Sequence, residues 1–277
     1  MLRPTILGCA AVTALLALGT AASSASPTPG QYYLALGDSI AYGVQPAKVE
    51  AGLPPSRFNT GYVDVVGAGL RTLAPSLRVV NYGCPGESTK TMIAGGCPSR
   101  AEGVTLHDSF RGPQLAAALA FLQAHKGKVN PITVSLGGND LFEAVDACKG
   151  DLSCAQKRSP QMATRLGTIL RRLQAAAPNA VIVVTGIWNF DVEHLKSTDP
   201  QDRLFRAYDA AIETAARGRA PFADTFAVFN PNASPAKEKA RICSFTFACS
   251  HQDPHPTNAG YKAIARLVLG AGGFGQR

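Results

Sequence analysis

Four short polar clusters stand out in the 277 residues because their side chains could act on one another. Ser39 lies in Gly37-Asp38-Ser39, and two glycines lie in Asn81-Tyr82-Gly83-Cys84-Pro85-Gly86. Asn139 lies in Gly137-Gly138-Asn139-Asp140, and His255 in Asp253-Pro254-His255-Pro256. A serine hydroxyl is a weak nucleophile near neutral pH and needs an adjacent base, most often an imidazole. Ser39 with His255 as base would suit acyl transfer, His255 taking the Ser39 proton and returning it to the leaving alcohol. The tetrahedral intermediate needs donors aimed at its oxyanion, each worth roughly 3–4 kcal/mol when removed. The backbone N–H groups of Ser39 and Gly83 and the Asn139 carboxamide are the candidates, Gly83 because a residue without a Cβ lets the chain come close.

Taken singly, each cluster has a plainer reading. Ser39 would cap a helix, the glycines would make turns, and His255 would be a surface histidine held between prolines. Their order along the chain, each following a strand, is what points to chemistry. The expected strands are Tyr32–Leu36, Leu77–Asn81, Ile132–Leu136, Ala180–Thr185 and Phe222–Ala223. Helical spacing falls at Gly61–Leu73, Gln114–Ala124, Met162–Ala176, Leu204–Ala216 and Tyr261–Leu269. Near-continuous apolar strands alternating with helices predict an α/β protein: a three-layer α/β/α sandwich around a parallel sheet of about five strands. In such sheets the ligand crevice lies beyond the carboxyl ends of the strands, where the clusters would converge. The stretches 45–60 and 84–113 read as long irregular insertions of the kind that often carry function. Trp188-Asn189-Phe190, after the fourth strand, could line an acyl pocket, although a core position fits it equally well.

In block order from about Leu34 to Tyr261, the four clusters resemble the blocks of the SGNH, or GDSL-type, hydrolase family. The cysteine-rich form is most similar to its secreted actinobacterial lipases and esterases. The resemblance implies a flavodoxin-like fold and metal-independent ester hydrolysis through an acyl-serine. Ser39 would be nucleophile, His255 base, and Ser39, Gly83 and Asn139 the oxyanion hole. The family usually carries its acidic residue three positions before the histidine, where this chain has Gln252. Asp253, two before, becomes the expected third member, with a backbone carbonyl as the alternative partner of the imidazole. The expected function is a serine esterase or lipase acting on a small-molecule or lipid ester. A carbohydrate O-acetyl esterase and an extracellular acyltransferase are alternatives with the same site, and a non-catalytic binding protein is a remote one. A monomer without cofactor or metal is expected.

Composition narrows the field further. With 46% hydrophobic and 17% charged residues the chain can bury a core. The net charge of +8 is scattered, and no basic run interleaves with aromatics, so nucleic-acid binding has little support. No apolar run is long enough to span a bilayer, so stable membrane insertion is not expected. Residues 1–25, with Arg3, an apolar stretch and small residues ending at Ala25, read as a cleavable secretory signal. The protein would then be extracellular, with 26–277 as a single hydrolase domain. Cys9 sits too early in the apolar stretch to favour a lipid anchor. The other six cysteines suit disulfides in an exported chain, and their spacing favours neighbours: Cys84–Cys97, Cys148–Cys154 and Cys243–Cys249. His251 and His255 stand four apart, but Pro254 between them spoils a helical metal site. Ser234-x-x-Lys237 stands alone and is assigned to chance, and no Gly-x-Ser-x-Gly occurs.

Overall fold

The computed structural model describes residues 26–275; the secretory signal read in 1–25 lies outside them. Five parallel strands form one sheet: β1 (Tyr32–Gly37), β2 (Arg78–Asn81), β3 (Val129–Ser135), β4 (Ile182–Thr185) and β5 (Phe222–Ala223), in the order β2-β1-β3-β4-β5. The three-layer α/β reading holds, and the strand ends differ from expectation by at most three residues.

Side chains alternate along β1 and so supply both faces of the sheet. Leu34 and Leu36, with Ile132, Val134, Ile182 and Val184, pack against the helices Gln114–Ala124, Ser159–Ala176 and Pro200–Ala216. On the other face Tyr33, Ala35 and Val183 meet Tyr62, Val66 and Leu70 of Tyr62–Leu73 and Tyr261, Ile264 and Val268 of Asn258–Ala271. Full burial of such a residue contributes roughly 1.5–3 kcal/mol. A polar spot survives on this second face. Buried Thr133 shares its hydroxyl with Tyr33 (2.9 Å) and Tyr62 (3.3 Å), which satisfies three polar groups inside the core.

The register pairs Gly37 with Ser135 and Ser135 with Thr185, so β1, β3 and β4 end at one level. The segments that follow them therefore emerge side by side. Two features depart from expectation. Gly137-Gly138-Asn139-Asp140 opens the helix Gly138–Ala147, which is not among the helices expected from spacing. The insertions are also less irregular than expected, since they contain the helices Pro46–Glu50, Thr89–Ala94 and Pro98–Ala101. They share a small core of their own, in which Tyr42, Val44, Phe58, Leu106 and Phe110 surround the Cys84–Cys97 bridge. The other bridges join Cys148 to Cys154 and Cys243 to Cys249.

Candidate active site

Ser39 begins the short helix Ser39–Tyr42 immediately beyond β1. The turn that places it depends on Gly37, whose φ is +126° and where a Cβ would lie 2.0 Å from the Ser135 carbonyl oxygen. No other residue fits. Buried Asp38 caps the helix: its Oδ1 accepts the Ile40 N–H at 2.9 Å and the Ser135 hydroxyl at 3.3 Å. Burial pushes its carboxyl up to about 7, against the opposing pull of the Ile40 N–H, the His255 charge and Ser135. With Asp38 spent on Ile40, the Ser39 N–H meets no acceptor among the described residues.

His255 is aimed by its own neighbourhood. Gln252 takes a left-handed conformation (φ 52°), turning Asp253 back towards the imidazole. Asp253 Oδ1 lies 2.7 Å from His255 Nδ1 and accepts the His255 backbone N–H at 2.8 Å. The two-residue spacing is therefore an Asx turn that fixes backbone and ring together. Burial alone would raise the Asp253 carboxyl, but the hydrogen bond and charge of His255 hold it below its ordinary value. Elsewhere the Gln45 amide donates to Asn258 Oδ1 (2.9 Å) and the Tyr261 hydroxyl to the Val44 carbonyl (2.8 Å). These bonds tie the chain leaving the Ser39 helix to the chain leaving His255. Ser39 Oγ makes no hydrogen bond to the imidazole here, a contact that often tightens only around substrate.

The second polar loop does not use its residues as the sequence suggests. Gly83 is buried, its N–H donates to Asn81 Oδ1 at 2.8 Å, and a Cβ there would lie 2.4 Å from the Tyr42 nitrogen. The Asn81 amide in turn holds the Ala41 carbonyl at 2.9 Å. Gly83 thus lets the loop press against the Ser39 helix, and its N–H is already engaged. Gly86, three residues on, is exposed with φ 82°, and its N–H meets no acceptor among the described residues. It directly precedes Glu87, whose carbonyl accepts one Asn139 Nδ2 proton at 2.9 Å. That bond orients the carboxamide and leaves its second proton free. The signal for this arrangement is legible in hindsight: Asn-x-Gly is an Asx-turn pattern, and such a turn consumes the glycine N–H.

Sequence reasoning also missed the residues that join these segments. Gln114 is fully buried; its Oε1 accepts the Gly37 N–H at 2.7 Å. Its Nε2 lies 2.9 Å from the Gly37 and Tyr82 carbonyls and 3.1 Å from Glu87 Oε2. Asp140, beside Asn139, accepts from the Thr89 N–H at 2.9 Å and from Arg165 at 3.0 Å, locking the Gly86–Thr89 segment to the Asn139 helix. Ser39, Asn139 and His255 line one cavity of about 100 Å³. Ile40, Phe142, Ile187, Trp188, Phe190 and Phe205 make its apolar walls. Trp188 and Phe190 thus face the site, while Asn189 is buried and holds the His194 carbonyl at 2.8 Å.

A family model described as the GDSL-like lipase/acylhydrolase family matches residues 35–263. The chain belongs to that family. As a family member it is a carboxylic ester hydrolase. No match is found among curated proteins. Among solved structures it is similar to an acetylxylan esterase from Geobacillus stearothermophilus, with 21% identity and a TM-score of 0.55, covering 89% of this chain and 96% of that one. It is similar also to an alpha/beta hydrolase enzyme from the metagenome of Lake Arreo, Spain, with 18% identity and a TM-score of 0.57, covering 89% and 96%. At these identities the likeness is one of fold.

Proposed function

We propose that this GDSL-family hydrolase is an extracellular serine esterase for short-chain acyl esters. The carrying observation is the shared cavity, in which Ser39, Asn139 and His255 converge against aromatic walls in about 100 Å³. That is small beside the roughly 300–1,000 Å³ of drug-sized ligand sites, so it suits a short acyl group rather than a long lipid chain. The fold neighbour named as an acetylxylan esterase is in keeping with a short acyl group. Export is supported by three disulfides, which persist in oxidising compartments, and by the signal-like residues 1–25.

Ser39 Oγ attacks the ester carbonyl as His255 Nε2 removes its proton, and Asp253 stabilises the imidazolium through Nδ1. The oxyanion is met by the N–H groups of Ser39 and Gly86 and by the free Asn139 proton; Gly86 takes the place expected for Gly83. Collapse expels the alcohol, which takes the proton from His255, and water then cleaves the acyl-serine by the same steps. The experiment is hydrolysis of p-nitrophenyl esters across acyl lengths. Rates should peak at the acetyl or butyryl ester and fall steeply before the octanoyl ester. A peak at a long chain would overturn the short-acyl reading.

A further inference from the structure

The three oxyanion donors belong to three separate stretches of chain. Ser39 lies just beyond β1, Gly86 in the loop after β2, and Asn139 in the helix that follows β3. Such donors act when they lie about 2.7–3.1 Å from where the oxyanion forms, and a misplacement of about 1 Å can cost about 10²-fold in rate. The stretches therefore need a common anchor, and Glu87 joins all three. It follows Gly86 directly, and its N–H donates to the Cys84 carbonyl at 3.0 Å, closing the turn on which Gly86 stands. Its carbonyl accepts from Asn139 Nδ2 at 2.9 Å. Its side chain is fully buried and accepts through Oε2 from Gln114 Nε2 at 3.1 Å. Gln114 Oε1 in turn accepts the Gly37 N–H at 2.7 Å, two residues before Ser39.

The side chain is the informative part, because the two backbone bonds would form with any residue at this position. Burial pushes the carboxyl up to about 7, a cost that an alanine here would not incur. What the carboxyl adds is an acceptor within reach of Gln114, and Oε2 keeps a lone pair whether the group is neutral or ionised. Gln114 Nε2 also holds the Tyr82 carbonyl at 2.9 Å, but Tyr82 stands four residues before Gly86. Glu87 brings the bond to the residue beside the donor. Resting on the serine-esterase reading above, we propose that Glu87 is a positioning residue whose reach to Gln114 ties the Gly86 and Asn139 donors to the turn carrying Ser39. Its length, rather than its charge, does this.

Glu87→Gln and Glu87→Asp separate the two properties. The first keeps the length and a carbonyl oxygen to accept from Gln114; the second keeps the charge but is one methylene too short. Hydrolysis of p-nitrophenyl acetate is measured per active serine, counted with a p-nitrophenyl phosphonate, so that unfolded protein does not enter. Glu87→Gln should keep kcat within about threefold of wild type. Glu87→Asp should lose roughly 10- to 100-fold in kcat, with KM changed by less than about threefold. Unchanged kcat per active serine in both variants would make the residue merely structural and overturn the proposal. A loss of more than about tenfold in Glu87→Gln would overturn it too, whether or not Glu87→Asp folds. If the wild type neither hydrolyses the ester nor takes up the phosphonate on Ser39, the serine-esterase reading fails first.

Discussion

At the scale of single residues, the site turns on which polar atoms are free and which are engaged. That Ser39, Asn139 and His255 line one cavity was expected from the order of the clusters; Ser39 and Asn139 closely follow β1 and β3, whereas His255 lies three helices beyond β5. Asp253 is half legible: the sequence leaves a carboxylate and a backbone carbonyl as rival partners, and the structure puts the Asp253 oxygen 2.7 Å from His255 Nδ1. Asp253→Ala should therefore lower kcat by roughly 10²- to 10⁴-fold, approaching the loss in His255→Ala. A loss below threefold, with His255→Ala still inactive, would return the role to a carbonyl. Gly83 illustrates the opposite case. Sequence shows that a glycine is needed there but not whether its N–H is engaged, because that depends on the rotamer of Asn81.

At the scale of elements, the parallel sheet was readable because its strands are short apolar runs ending at glycine or polar residues. The helix Gly138–Ala147 was not, since two glycines mark a break unless tertiary contacts hold the first turn. Here Asp140 and Asn139 do so through Thr89 and the Glu87 carbonyl. Gln114 was equally hidden, for a glutamine after proline at a helix start suggests an exposed residue. Instead it joins the end of β1 to the Tyr82–Glu87 loop. Gln114→Ala would strand several buried backbone groups, each costing about 1–3 kcal/mol. It should destabilise the protein to denaturant by about 2–4 kcal/mol and lower kcat more than it raises KM. Stability within 0.5 kcal/mol of wild type would mean that the network is dispensable, since changes of about that size are usual at unconstrained surface positions.

For the whole molecule, the fold concentrates buried carboxyls beneath the catalytic edge of the sheet. Burial pushes Glu87 up to about 7, and its Oε1 has no hydrogen-bond partner among the described residues. A carboxyl with a raised folded pKa holds its proton in the native state after the unfolded chain has released it. Its contribution to stability is complete below the unfolded value of 4.5 and is lost as pH rises through about 7. The Tm of Glu87→Gln relative to wild type should therefore climb between pH 5 and pH 8; a flat or falling difference would contradict the assignment. The central claim is the acyl-serine at Ser39 with its oxyanion donors. The most direct measurement is the ¹⁵N–¹H amide spectrum of the protein before and after reaction with a p-nitrophenyl phosphonate, which leaves a tetrahedral anion-like adduct on an active serine. We predict one adduct, on Ser39, with the Ser39 and Gly86 amide protons moving downfield and that of Gly83 unmoved. An adduct on another residue, or a shift at Gly83 with none at Gly86, would contradict the account.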